Sequence, residues 1–323
     1  MGDLKYDRLE FTKPLLLGVG KFGTKIVKEA NKTEELDYLL ISNSLKDLDN
    51  TERSVFVDCS PWLNPSVCRI RGYVDNILEG IKARLDNYTT IIMIANLAST
   101  VGIALAPILS NISKVNDKTM ISFVTMPLGF ETDKLYDSSV SLKKLFSNSR
   151  TTFITNNDAF IKYYPSISIE DLYRITNNAI IHVIHSISKM AVYGDKNVIS
   201  TSLESADFEG TIKDSIGVMF SSIGKVPVGD SIIQVSGINN ESVGNLQEVF
   251  ALVRNTLIDD IDDNLAVSLT ESGQTNVNIV SSIKSYSIFD SYDPLSIIPE
   301  ESWLDRDEAD SYLDINLPLI NID

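Results

Sequence analysis

Three glycines at close spacing are the first residues whose placement could do chemistry. Gly18, Gly20 and Gly23 lie in the stretch Pro14-Leu-Leu-Leu-Gly-Val-Gly-Lys-Phe-Gly-Thr-Lys-Ile-Val-Lys-Glu-Ala30. The run Leu15 to Leu17 before them is short and uncharged, as a strand buried on both faces requires. After them, Thr24 to Ala30 puts Ile26, Val27 and Ala30 on one helical face. A strand, a tight glycine turn and a helix N-terminus together make an anion site. The free backbone N–H groups and the helix dipole both favour negative charge, and small residues let a phosphate approach. The same Gly-x-Gly-x-x-Gly spacing fits a dinucleotide-binding turn. It also fits a turn whose glycines only let a helix pack closely on a strand. A dinucleotide domain wants an acidic residue at the end of its second strand. Here the second strand, Asp37 to Ile41, runs into Ser42, Asn43 and Ser44, which weighs against an NAD-dependent enzyme.

Other reactive residue types form weaker patterns. His182 and His185 stand at helical i, i+3 spacing, but without a cysteine or carboxylate at ligand spacing they read as packing or surface residues, and no metal site is expected. Asp259, Asp260, Asp262 and Asp263 cluster without the glycine of a calcium loop and read as a solvated turn. No Gly-x-Ser-x-Gly and no Cys–His arrangement supports covalent catalysis. A net charge of −16 excludes a nucleic-acid binder, because nothing basic is clustered to neutralise phosphates. It also disfavours direct binding to an anionic membrane surface. Two cysteines, Cys59 and Cys68, indicate reduced thiols in a cytoplasmic protein. The uncharged stretch Thr89 to Ser113 is long enough to cross a membrane, but polar residues from Asn96 to Thr100 break it. It reads instead as a buried strand, a turn and a buried helix, with no membrane insertion.

The elements that must position the glycine turn follow from periodicity. Short apolar strands alternate with helices through the first half. Strands are expected at Tyr38 to Ile41, Val55 to Val57, Thr90 to Ala95, Met120 to Thr125 and Thr152 to Thr155. Helices are expected at Gly72 to Asp86, from about Gly102, at Val140 to Phe146 and, at greater length, at Ser168 to Val192. This alternation predicts an α/β fold: a mostly parallel, Rossmann-like nucleotide-binding sheet with helices on both faces. In such sheets the ligand sits at the carboxyl ends of the strands. Beyond the long helix the pattern predicts a smaller α/β C-terminal domain. Its helices are Thr211 to Ile223 and Ser242 to Leu257; its strands are Ser231 to Ser236, Leu265 to Thr270 and Asn276 to Ser287, with at least one antiparallel pair. The expected organisation is a nucleotide-binding domain over 1–167, a connecting helix over 168–192, a C-terminal domain over 193–289 and an acidic tail over 290–323.

The order of these turns resembles the FtsZ/tubulin superfamily, and FtsZ more than tubulin. Gly18, Gly20, Lys21, Phe22, Gly23 and Thr24 stand in a segment similar to the family's first glycine-rich phosphate loop. Asn64 falls in Trp62-Leu-Asn-Pro65, similar to the loop over the phosphates. Val124-Thr-Met-Pro-Leu-Gly-Phe-Glu131 resembles the turn whose Glu contacts the ribose. Thr155-Asn-Asn-Asp158 matches the Pro-Asn-Asp turn. Tyr173 to Ile180 resembles the long-helix motif in which an aromatic ring and an Asn-Asp pair face guanine, which gives Tyr173, Asn177 and Asn178 that role. Ser205-Ala-Asp-Phe-Glu-Gly210 is similar to the acidic loop that one subunit carries into the next subunit's pocket, which makes Asp207, with its neighbour Glu209, the catalytic candidates. Tyr312, Leu313, Asp314, Ile315 and Leu317 resemble the C-terminal peptide that docks onto membrane-anchoring division partners.

Three departures bear on activity. The family's hallmark Gly-Gly-Gly-Thr-Gly-Thr-Gly loop reads Ala98-Ser-Thr-Val-Gly-Ile-Ala104 here. One glycine survives as Gly102, and the hydroxyls of Ser99 and Thr100 are left as phosphate donors. Gly210 replaces the second catalytic Asp, so hydrolysis is expected to be slow or absent. Asn178 replaces the base-reading Asp, which relaxes the preference for guanine, since an amide offers one acceptor where a carboxylate offers two. The resemblance implies a filament-forming, cytoskeletal or cell-division protein that binds GTP or GDP, with Mg admissible, at the subunit interface, cytoplasmic and acting at the division site. Its partners would be further copies of itself, and a paralogue or membrane-anchoring protein held by the tail. The alternatives are a pseudo-GTPase scaffold of the same fold that binds no nucleotide, and an NAD-dependent enzyme.

Overall fold

The computed structural model describes residues 14–32, 35–49, 52–60, 62, 64–158, 161, 164–187, 196–201, 228–236, 265–270 and 276–283. Within them the chain builds β1 (Leu15–Val19), α1 (Gly20–Ala30), β2 (Asp37–Ser42), β3 (Ser54–Phe56), α2 (Val67–Val74), α3 (Leu78–Leu85), β4 (Thr90–Asn96), α4 (Thr100–Val115), β5 (Thr119–Thr125), α5 (Thr132–Asn148), β6 (Thr151–Thr155), α6 (Ile169–Ile187) and β7 (Lys196–Thr201). Three further strands follow: β8 (Val228–Ser236), β9 (Leu265–Thr270) and β10 (Asn276–Ile283).

All ten strands join one sheet, in the order β3-β2-β1-β4-β5-β6-β7-β10-β8-β9. From β3 through β7 every neighbouring pair is parallel, while β10 runs antiparallel to both β7 and β8. The order reverses between β1 and β4. There the chain leaves one strand for one face of the sheet and the other strand for the opposite face, which opens a crevice at the carboxyl ends.

Alternation along the strands sorts the core into two layers. Leu16, Leu40, Ile92, Ile94, Ile121, Phe123 and Phe153 pack under α1 and α6, against Ile26, Val27, Ala30, Ile180, Val183 and Ile184. Leu15, Leu17, Val19, Ile91, Met93, Val124 and Ile154 pack under α2 to α5 on the other face. Phe123 and Phe153, partners across β5 and β6, stack at 4.5 Å. Strands buried on both faces account for the absence of polar alternation in their sequences.

Several elements differ from the sequence expectation. The helix expected over Gly72 to Asp86 is two helices, α2 and α3, separated at Asp75 to Ile77. Asp75 and Asn76 compete for backbone hydrogen bonds and are poor helix formers, and each half still buries its own pair, Ile70 with Val74 and Ile81 with Leu85. Helix α1 starts at Gly20, four residues before the periodic apolar pattern begins. Helix α5 spans Thr132–Asn148, well beyond Val140 to Phe146, because the turns before Val140 carry no apolar stripe: the residues they bury are Ser138 and Ser139. Strand β7 carries only two apolar residues in a row and is recruited by neighbours on both sides, β6 and β10. The expected helices Thr211 to Ile223 and Ser242 to Leu257 lie outside the described residues.

Pro107 sits inside α4. A proline there removes the N–H that would satisfy the carbonyl four residues earlier. Ser141 of α5 fills the gap by donating to the Ile103 carbonyl at 3.1 Å, so the break in one helix becomes its attachment to the next.

Candidate functional site

The carboxyl ends of β1, β2, β4, β5 and β6 lie on one rim, fixed by register: Val19 pairs with Ile41 and Ala95, Asn96 with Thr125, and Thr125 with Thr155. The turns after these strands therefore share that rim. They are laced together by backbone bonds, Leu97 N–H to the Thr125 carbonyl and Met126 N–H to the Thr155 carbonyl, each 2.9 Å. Asp158 adds a side-chain tie, accepting from Gly129 N–H at 2.9 Å.

At the crevice between β1 and β4 the N-termini of α1 and α4 face each other. Helix α1 begins behind Val19, which offers no side-chain cap, so its first N–H groups have no intrahelical partner. The three glycines serve different ends. A Cβ on Gly18 would sit 2.8 Å from the Gly23 carbonyl oxygen, and one on Gly23 would run into the Ile94 carbonyl. These two allow α1 to lie directly on β1 and β4. Gly20, at φ +67°, is the turn residue that faces the crevice. The phosphate-loop and close-packing readings of the motif thus apply to different glycines.

Helix α4 is capped from within. Ser99 Oγ accepts from Gly102 N–H at 3.0 Å and donates to the Asn96 carbonyl at 2.8 Å. Both Ser99 and Gly102 are therefore engaged in the turn itself, whereas the sequence suggested a hydroxyl free for phosphate. Gly102 is required because a Cβ there would meet the Asn96 carbonyl. Val101, 9% exposed and part of the core, stands opposite Gly20: its Cβ and Cγ1 are each 3.5 Å from where a Gly20 Cβ would stand. Thr100, at the start of α4, is half-buried.

The other end of the rim is built differently. Thr125 and Thr155, two residues beyond Phe123 and Phe153, face the α6 layer by strand alternation. Asn177 lies on the α6 stripe that continues through Ile180 and Ile184. Among the described residues, Thr125 Oγ1, Thr155 Oγ1, Asn157 Oδ1 and Asn177 Oδ1 are buried with no hydrogen-bond partner. An unpartnered buried polar atom costs about 1–3 kcal/mol, so four of them, three at the ends of two adjacent strands and one midway along α6, call for a polar occupant. Three other such atoms, on Ser139, Thr152 and Asn278, lie away from the rim.

Glu131, at the start of α5, accepts from Leu128 N–H at 3.0 Å and from Lys134 Nζ at 2.6 Å. The hydrogen bond to Glu131 raises the Lys134 pKa above its usual value. Tyr173 stands half-buried near both; burial, with the Glu131 charge adding to it, pushes its phenol pKa up. Tyr173 and Asn177 are one turn apart on α6 and share a face; Asn178 is half-buried. Lys21 is exposed beside the crevice, Phe22 is half-buried and Thr24 is buried. Asn64 is exposed after β3, near Trp62, whose ring carries the Arg69 guanidinium at 3.4 Å. The structure therefore brings Gly18 to Thr24, Ser99 to Gly102, Glu131, Tyr173 and Asn177 to one rim. Asp207, Glu209 and Tyr312 to Leu317 lie outside the described residues.

Two features escaped the sequence. Asp47 folds back on a short 3₁₀ turn and accepts from Ser42 Oγ at 2.8 Å, putting a carboxylate at the end of β2 where the linear sequence has none. Lys134 was also missed, although its i, i+3 spacing from Glu131 was a readable signal. Among the described residues no grouping fits a metal ion and no helix is long and apolar enough to cross a membrane.

Comparison with known proteins agrees with this geometry. The family model described as the Tubulin/FtsZ family, GTPase domain, matches residues 66–165. No curated protein matches the chain. Among solved structures, an empty FtsZ dimer of M. jannaschii superposes with a TM-score of 0.67 at 15% identity, covering 85% of this chain and 89% of that one. CetZ2 of Haloferax volcanii, a GTPγS-bound protofilament, gives 0.61 at 16% identity over 87% of this chain and 96% of that one. A GTPγS-form TubZ protofilament of Bacillus thuringiensis serovar israelensis gives 0.61 at 11% identity, with coverages of 86% and 88%. At such identities the likeness establishes the fold.

Proposed function

We propose that the chain is a divergent protein of the FtsZ/tubulin superfamily that binds a guanine nucleotide along the carboxyl rim and self-associates into filaments with weak or no hydrolysis. The observation that carries this reading is the unpartnered buried set Thr125, Thr155, Asn157 and Asn177 on the same rim as the uncapped α1 N-terminus. Polar atoms stranded at one end and a partial positive charge at the other suit a ligand with a polar ring system and an anionic group. On this reading the backbone of Gly20 to Thr24 holds phosphate, Glu131 accepts from the ribose, and Tyr173, Asn177 and Asn178 receive the base. When bound, the nucleotide supplies the phosphoanhydride whose state would set assembly. Asp207 and Glu209 would act on a neighbouring subunit's nucleotide, and the missing second Asp keeps turnover low.

The relatives that form dimers and protofilaments support self-association. Recruitment through Tyr312 to Leu317 to a membrane-anchoring partner at the division site is part of the same proposal. Calorimetric titration of the purified chain with GTP and GDP, paired with electron microscopy of the same samples, tests it. Binding in the micromolar range or tighter, with filaments, is the expected result. Filaments without any nucleotide heat would favour the second reading, a nucleotide-free scaffold. That reading draws on one specific feature, the closure of the α4 N-terminus by Ser99 and Val101.

A further inference from the structure

The two ends of the proposed site are unequally open. A phosphate held between two helix N-termini needs N–H donors about 2.9 Å from its oxygens on either side, with the width of the phosphate between them. Where α1 meets α4, the Val101 side chain stands 3.5 Å from where a Gly20 Cβ would be, so the gap over Gly20 would admit a methyl group at ordinary contact and is narrower than a phosphate. Ser99 Oγ is close by, 3.9 Å from the same point. Val101 cannot swing away cheaply. It is β-branched in a helix, where one χ1 rotamer dominates, and it is buried in the core under α2 to α5. The Gly102 N–H, another donor of that terminus, is spent on Ser99 Oγ. A neutral hydroxyl and an isopropyl group thus stand where a second anion contact would be made. The α1 terminus is uncapped, and the unpartnered atoms of Thr125, Thr155, Asn157 and Asn177 remain at the far end of the rim.

Resting on the nucleotide-site reading above, we infer that this site takes a nucleoside mono- or diphosphate in preference to a triphosphate, with Val101 as the residue that sets the limit. One helix terminus can neutralise the proximal phosphates; a terminal phosphate meets the Val101 side chain beside α4. The chain is then matched to the product state of a triphosphate-hydrolysing or phosphoryl-transfer reaction.

The test is calorimetry on the full chain with GTP, GDP and GMP, and with ATP, ADP and AMP, so that the phosphate ladder is read within whichever base series binds. The expected result is that the diphosphate binds about tenfold or more tightly than the triphosphate, a difference of about 1.4 kcal/mol. V101G should raise triphosphate affinity by about tenfold and leave the monophosphate unchanged. V101A, which keeps helix propensity, should do the same to a smaller degree should circular dichroism find V101G unfolded. Triphosphate bound more tightly than diphosphate by the unaltered chain overturns this inference and leaves the nucleotide site standing. So does an equal effect of V101G or V101A on all three ligands. No binding by any of the six ligands overturns both.

Discussion

The two ends of the carboxyl rim solve opposite problems. At the β1–β4 crevice the α4 side satisfies itself: Ser99 caps α4, Val101 narrows the gap over Gly20, and Gly23 and Gly102 bring backbone onto backbone, while the α1 terminus stays uncapped. At the β5–β6 end it leaves four polar atoms buried and unmatched under α6. Closure of the first end adds core packing and a helix cap; incompleteness at the second costs stability that only a ligand or ordered solvent can return. A rim that had merely lost its function would be expected to lose both ends alike, with the stranded polar residues replaced by apolar ones. Under the proposed function, the contrast corresponds to a site narrowed at the phosphates and retained at the nucleoside.

The largest way to break this comparison is through Gly23. Gly23→Ala drives a Cβ into the Ile94 carbonyl, and overpacking at a backbone contact should cost about 3 kcal/mol. Chemical denaturation should show the loss whether or not nucleotide is present; an unchanged midpoint would mean that α1 does not rest on β4 as described. Asn177→Leu should move the two ends apart. Removing an amide whose oxygen is buried without a partner should stabilise the ligand-free chain by about 1–2 kcal/mol, while nucleotide affinity falls about tenfold. Thermal melts with and without GDP read both effects; a lower ligand-free melting temperature would show that Asn177 is structurally satisfied. The smallest effect should come from Ser99→Ala. Losing the cap costs about 1 kcal/mol of stability, yet GDP affinity should change by less than about threefold, because the hydroxyl points into its own turn. A tenfold fall would place Ser99 among the phosphate contacts after all.

Much of the sheet was legible because strands buried on both faces leave uninterrupted apolar runs. β4 and β5, expected at Thr90 to Ala95 and Met120 to Thr125, are each one residue longer. The connections were less legible. Asp75 and Asn76 end a helix that the apolar stripe alone would continue, and β7 is a strand only because β6 and β10 flank it. Among the candidate site residues, Glu131, Tyr173 and Asn177 are named by resemblance to a family pattern. Lys134 and Asp47 are not, since each acquires its place from a hydrogen bond across a turn.

What the sequence determined by itself is the set of parts: apolar strands, amphipathic helices, and glycines where a side chain would collide. Those follow from local sterics and periodicity, which a linear string records. What only the tertiary structure decided is which parts touch. Val101 reads as one more β-branched helix residue until the reversal of strand order between β1 and β4 sets it against Gly20. Thr125, Thr155 and Asn177 read as ordinary polar residues until packing under α6 shuts out the water that would have satisfied them. Contact and desolvation depend on distances through space, so residues far apart in sequence acquired a chemical environment only when the sheet closed over them.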